Sequence, residues 1–232
     1  VVSSPEHAVM AAQSIGYPLV IKPVDGGKGV DVWPGIANES ALIPIARRFA
    51  AESRPMLLQS HFAGDGYRLL VVDGRFVAAA RLIPASVVGD GDKSVAQLIE
   101  ETNADPNRGR GFSRLRCVIE LDESMNFLVA DQGLNLSDIP AAGRRVWLKK
   151  TSNIHTGGTA EDVTDIIHPD NKFIAERASR KVGLRVAGVD FLTTDITRSW
   201  RETGGGICEI NRSPGLRPHW NADPDRDVVG PI

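Results

Sequence analysis

The sequence predicts an α+β chain of two lobes. Three observations carry that expectation. Helical and strand-like segments alternate, but hairpin signals interrupt the alternation, which argues against a single doubly wound parallel sheet. The 232 residues are 42% hydrophobic and 24% charged, a globular composition that can bury a core without disulfides or a structural metal. A change of pattern at residues 62–66 (FAGDG) divides a small lobe, 1–62, from a larger one, 63–232.

The elements follow in order. Ser4 caps a first helix, with Pro5 at its first position, Glu6 at its positive end and Gly16 as its stop. Ala8, Ala11, Ala12 and Ile15 give it a small apolar face. Residues 17–23 (YPLVIKP) read as a short buried strand. Residues 25–29 (DGGKG) read as a glycine-rich loop and 30–33 as the returning strand. Asn38 or Ser40 opens a second helix, with Ala46, Phe49 and Ala50 on one face and Pro44 marking where its regular part begins. Residues 56–59 form a strand. Residues 67–72 and 76–81 flank Asp73-Gly74, a hairpin signal, because Asp-Gly accepts the positive φ of a tight turn. Residues 94–102 read as a helix, 103–116 as an arginine-bearing loop, 146–150 as a strand and 151–159 as a polar loop. A helix over 170–182 stops at Gly183, and 186–192 and 206–211 are two more strands.

Charge and cysteine usage narrow the function classes. Lys and Arg total 27 against 29 Asp and Glu, so a strongly basic nucleic-acid binder is excluded. Cys117 and Cys208 stand far apart, with no metal-ligand or redox spacing, which fits a reduced, cytoplasmic compartment. The apolar runs are too short to span a bilayer, so no membrane partner is expected. The chain is expected to be a piece of a longer multidomain protein.

Five groups of residues could carry chemistry. Glu209 and Asn211 stand two apart in a strand (ICEIN), hence on one face. Asp190 lies in a second strand (GVDFL). If the strands are neighbours, three oxygen donors converge, a set that suits Mg²⁺; a solvated edge strand would look the same. Lys22 sits inside an apolar strand, where burial of an unpaired ammonium costs several kcal/mol and a phosphate would pair it. Lys28, among Gly26, Gly27 and Gly29, lies in a loop whose backbone N–H groups could cradle phosphate, although it matches neither a Walker A nor a dinucleotide fingerprint and could be a plain hairpin turn. Residues 59–62 (QSHF) are either an inter-lobe linker or an adenine edge, with Gln59 offering backbone groups and Phe62 a ring. Arg68 and Arg81 on the hairpin, and Arg108, Arg110, Arg114 and Arg116 in the loop, could bind carboxylate or phosphate or form a solvated surface. Finally, residues 153–159 (NIHTGGT) hold Gly157 and Gly158, which permit close approach of a ligand, beside Asn153, His155 and Thr156.

In this order the residues resemble an ATP-grasp ligase, and the ending EINRSPGL resembles the E-x-N-x-x-PG of D-alanine–D-alanine ligases and glutathione synthetases. The stretches GYPLVIKPVDGGKGV, GDGYRLLVVDGRFVAAAR, PASVVGDGDKSVAQLIEETNADPNRGRG and HTGGTAEDVTDIIHP are similar to the ATP-grasp region of the cyanophycin synthetase family, from about residue 16 to 215. That resemblance implies an ATP-grasp fold, with ATP between two α+β lobes and further domains before and after this region. It implies phosphate contacts from Lys22 and Lys28, adenine contacts from Gln59 to Phe62, and Mg²⁺ on Asp190, Glu209 and Asn211. Arg81, with Arg68, would be the charge clamp on the transferring phosphoryl. Asn153, His155, Thr156, Gly157, Gly158 and Arg108 would face the substrate, an amino acid or acidic peptide. The implied reaction is amide formation through an acyl phosphate, adding aspartate to a poly-aspartate backbone, in an enzyme that assembles as a homo-oligomer. A dipeptide ligase or a catalytically silent ATP-binding module are the alternatives. The sequence departs from the family pattern at the glycine loop (GKGVDV), at Gln59 where Glu is common, and at His155 where the family has Ser.

Overall fold

The structure is a computed structural model that describes residues 1–25, 31–111 and 114–232. The chain divides into two compact units, Val1–Phe62 and Ala63–Ile232.

In the first unit, Ser4 Oγ accepts a bond from the His7 N–H at 3.2 Å and starts α1 (Pro5–Ile15). Then follow β1 (Leu19–Pro23), β2 (Trp33–Ile36), α2 (Glu39–Ala51) and β3 (Met56–Ser60). The strands form an antiparallel sheet in the order β2-β1-β3. Ala8, Ala12, Leu19, Ile21, Leu42, Ala46 and Met56 are fully buried between sheet and helices. Two expectations need correction, and one open alternative is decided. The returning strand is Trp33–Ile36, because Asp31 takes a left-handed conformation (φ 56°) and its carboxylate is held by Arg48 and Arg54. Asn38, rather than Ser40, caps α2, its Oδ1 accepting from the Ala41 N–H at 3.0 Å. Pro44 lies inside α2, where it forgoes one helical hydrogen bond while Leu42, Ala46 and Phe49 anchor the helix in the core.

The second unit opens with the hairpin β4 (Asp65–Val72) and β5 (Arg75–Ile83), turning at Asp73 and Gly74 with φ of 46° and 72°. It continues through β6 (Ser86–Val88), α3 (Val95–Asn103), β7 (Arg108–Gly109), β8 (Arg116–Cys117), α4 (Glu123–Asp131), β9 (Arg145–Trp147) and a 3-10 turn (Ile154–Thr156). The remainder is β10 (Thr159–Asp162), α5 (Pro169–Val182), β11 (Val186–Thr193), α6 (Trp200–Thr203), β12 (Gly206–Asn211) and α7 (Arg217–Ala222). Five strands form an antiparallel sheet in the order β10-β5-β4-β11-β12. Its back face buries Tyr67, Leu69, Val71, Ala79, Val189 and Phe191 with Ala175 of α5. Its front face buries Leu70 and Ala78 against Val228 near the end of the chain. A separate cluster joins α3, α4, β6 and β9 through Val95, Leu98, Met125, Val129, Val87 and Val146.

Local chemistry explains most of these elements. Ser94 and Gln97 exchange side-chain and backbone bonds in a capping box at α3. The expected loop over 103–116 contains β7, which pairs in parallel with β8, so the arginines there are partly ordered by main-chain bonds. The helix α4 was not legible: Met125 and Val129 are buried, but Phe127 between them is 77% exposed. Among the described residues, no helix is long and apolar enough to cross a membrane.

Candidate functional site

The front face of the large sheet gathers oxygen donors. In the antiparallel register Asp190 stands opposite Glu209 on one side and Arg68 on the other, and Gly188 stands opposite Asn211. Directly opposed residues share a face, so Arg68, Asp190, Glu209 and Asn211 converge. Arg68 Nε donates to Asp190 Oδ1 at 2.5 Å and its Nη2 to Oδ2 at 3.2 Å. The two side chains are 17% and 20% exposed. Asn211 Nδ2 donates to Asp190 Oδ2 at 3.2 Å and to the Gly188 carbonyl at 3.4 Å. Glu209 is exposed and makes no ion pair among the described residues. Gly188 has no room for a side chain: a Cβ there would lie 2.6 Å from Pro214 Cβ and 3.2 Å from Arg68 Cδ. The Pro214-Gly215 turn thus folds back over the strand beside Arg68.

The carboxylates of Asp190 and Glu209 are hard oxygen donors that fit Mg²⁺, which binds through few protein ligands and keeps several waters; the Asn211 amide would add its oxygen only after turning, since its Nδ2 now faces Asp190. Among the described residues, no group of three or more His, Cys, Asp or Glu gathers as a denser metal site.

His219 of α7, 3% exposed, reaches this neighbourhood from the end of the chain. Burial, with a contribution from the Arg68 cation, pushes its pKa down to about 4, against an opposing pull from Asp162. Asp162 is itself paired with Arg226. Asn221 Oδ1 accepts from the Ala160 N–H at 2.9 Å and ties α7 to β10. His219 binds its proton near pH 4 when folded and near 6.5 when unfolded. Between those values the unfolded state holds more protons. The stability from neutral His219 is therefore present above about pH 6.5 and lost as pH falls towards about 4. Urea melts at about pH 7 and about pH 5 should show the wild type losing on the order of 2 kcal/mol more than His219→Gln.

In the first unit, Lys22 and Gln59 share a face of the small sheet, since Val20 opposes Gln59 and Lys22 opposes Leu57. Leu19, Ile21 and Pro23 point into the core on the other side, so Lys22 is only half-buried. Phe62 is 49% exposed. Gly26, Gly27, Lys28 and Gly29 lie outside the described residues.

The turn over residues 153–158 is tightly fixed. Asn153 caps it, its Oδ1 accepting from the His155 N–H at 2.8 Å. Thr156 Oγ1 and the Gly158 N–H donate to the Asn153 carbonyl at 3.0 and 3.1 Å. His155 is exposed. Arg108 is brought to this turn: its Nη1 donates to the carbonyls of Cys117 and Gly157 at 2.7 and 3.0 Å. Burial, and then the neighbouring Arg116, lower its pKa. Arg116 pairs with Asp105 at 3.3 Å. These two loop arginines hold the fold locally.

Arg81 is not brought to the oxygen set. It opposes Tyr67, one residue out of step with Arg68, so its side chain leaves the sheet on the back face. There it pairs with Asp65 at 2.8 Å and Glu161 at 3.4 Å. The end of its strand nevertheless reaches the turn, where a Cβ on Gly158 would lie 2.7 Å from the Ile83 carbonyl oxygen. Sequence reasoning missed the Arg68–Asp190 pairing and the approach of His219. No local pattern signals either, because each joins residues distant in the chain.

No protein-family model matches the chain. The cyanophycin synthetase of Nostoc sp. is 43% identical over 204 residues, covering 88% of this chain and 23% of that protein. The glutathione biosynthesis bifunctional protein GshAB of Clostridium perfringens is 32% identical over 203 residues, covering 87% and 26%. The crystal structure of a bifunctional glutathione synthetase from Pasteurella multocida matches with a TM-score of 0.63 at 30% identity, over 94% of this chain and 30% of that one. The ATP-grasp ligase PsnB, complexed with a phosphomimetic variant of its minimal precursor, Mg and ADP, matches with a TM-score of 0.53 at 16% identity, over 99% and 48%; that likeness concerns the fold alone. The chain spans about a quarter of the length of the curated relatives it matches. With the two α+β units, the antiparallel sheets and these likenesses, the chain has the fold of an ATP-grasp ligase and is similar over most of its length to a stretch of cyanophycin synthetase.

Proposed function

We propose that this chain is the nucleotide- and metal-binding part of an ATP-dependent carboxylate–amine ligase acting on an acidic peptide, as a cyanophycin synthetase does. The observation that carries the reading is the oxygen set Asp190, Glu209 and Asn211 on one sheet face beside Arg68, in a chain with 43% identity to such an enzyme. Lys22 and Lys28 bind the ATP phosphates, the glycines around Lys28 admit them closely, and Gln59 and Phe62 take the adenine. Asp190, Glu209 and Asn211 hold Mg²⁺, which supplies charge neutralisation at the phosphates when bound. Arg68 presents a cation on the same face. Arg81 is a second cation, at the end of the strand that abuts the glycine turn. Asn153, His155 and Thr156 line the substrate side of that turn, and Arg108 fixes its shape. The γ-phosphoryl passes from ATP to a substrate carboxylate oxygen. An amine then attacks the acyl carbon, gives up a proton, and phosphate leaves. The cytoplasm as compartment and a homo-oligomeric state belong to the same proposal.

A second reading, a ligase of small amino acids, draws support from the GshAB likeness and from the engagement of Arg108 and Arg116 within the fold. ADP release by the full-length protein with Mg-ATP separates the two. Aspartate with an oligo-aspartate primer should give turnover that vanishes without primer. Equal turnover with single amino acids would move the assignment to the second reading.

A further inference from the structure

The Arg68 fork lies where the proposed cation has to bind, and this has consequences for how the site loads. A carboxylate offers about four acceptor positions. Those of Asp190 already receive Arg68 Nε, Arg68 Nη2 and Asn211 Nδ2. The amide of Asn211 therefore presents its nitrogen to Asp190, whereas a cation needs its oxygen. Of the three proposed donors, Glu209 stands exposed and makes no ion pair among the described residues. A guanidinium and a divalent cation on one carboxylate repel each other, the more so in a partly desolvated setting. Arg68 and Asp190, at 17% and 20% exposure, are in such a setting.

We propose that Arg68 is a displaceable occupant of the cation site: its fork and the Asn211 amide hold Asp190, and the fork must leave, and Asn211 must turn, for a divalent cation to bind. The inference rests on the metal assignment made above. Room for the fork exists because Gly188 lacks a side chain; a Cβ there would lie 3.4 Å from Arg68 Nη1. A freed guanidinium stays on the front face, where the phosphates of a nucleotide give it a new partner. Cation and nucleotide binding are then positively coupled, since each relieves a cost borne by the other. The like charges of Asp190 and Glu209, directly opposed across β11 and β12, are tolerated because Arg68 offsets one of them.

The test is Mn²⁺ binding to the full-length, nucleotide-free protein, read from the electron paramagnetic resonance signal of free Mn²⁺. Arg68→Gln should bind Mn²⁺ on the order of tenfold more tightly than the wild type. Arg68→Lys, which keeps the charge but cannot make the fork, should fall between them. Circular dichroism checks folding, and Arg68→Lys carries the test if the glutamine variant does not fold. Equal or weaker binding by both variants overturns the proposal. Glu209→Gln separates the two layers. If it weakens Mn²⁺ binding while the Arg68 variants change nothing, the metal site stands and the displaceable arginine falls. If Glu209→Gln has no effect in either background, the metal assignment falls and this inference with it.

Discussion

Glu209→Gln is expected to lower acceptor-dependent ADP release by the full-length protein on the order of 10²-fold or more, while leaving the fold intact or slightly firmer. The two halves of that expectation have different causes. On the proposed metal assignment, the activity falls because the substitution removes a negative charge from the oxygen set and would leave a neutral amide beside the cation. The stability does not fall, because Glu209 is exposed and has no ion pair to lose among the described residues. It also faces Asp190 across the β11–β12 ladder. Like charges in direct cross-strand opposition destabilise, so neutralising one should stabilise by about 0.2–1 kcal/mol. A variant that is less active and no less stable would separate function from folding in one measurement pair, ADP release and urea denaturation. Activity at wild-type level would remove Glu209 from the metal set.

Gly158→Ala should markedly destabilise the second unit. A Cβ at that position would lie 2.7 Å from both the Asn153 and Ile83 carbonyl oxygens. Both obstacles are backbone, so no side-chain rotation relieves them. Moving the Asn153 carbonyl also disturbs the bonds it accepts from Thr156 N, Thr156 Oγ1 and Gly158 N. Overpacking of this kind costs about 3 kcal/mol, or roughly 10 °C in melting temperature for a unit of this size. Gly183→Ala is the internal control. Gly183 also has a positive φ, 74°, but open space around it, so only the left-handed backbone cost of about 1 kcal/mol applies. Equal losses from the two variants would mean that the turn relaxes freely and that its close packing carries little energy.

What the sequence determined by itself was local. Ser4 with Pro5, and the Ser94–Gln97 box, announce helix starts because their side chains bond backbone groups within one turn. Asp73-Gly74 announces a hairpin because both residues accept positive φ. The two-residue spacing of Glu209 and Asn211 puts them on one face of any strand. The family resemblance reached the ATP-grasp fold as well, from ordered motifs rather than from any one of them. The helix α4 stayed illegible because its largest apolar residue, Phe127, faces water.

Only the tertiary structure decided which residues meet. It set Asp190 between Arg68 and Glu209, through a register that joins the distant β4 to the neighbouring pair β11 and β12. It placed Arg81 on the opposite face from Arg68, a consequence of one residue's difference in register. It bound Arg108 to two backbone carbonyls and buried His219 within reach of the Arg68 charge. The physical reason is common to all four. A capping or turn preference is satisfied within a few residues and is written in their side chains. The partner of a charged group is chosen by sheet order and register, which depend on the packing of the whole unit.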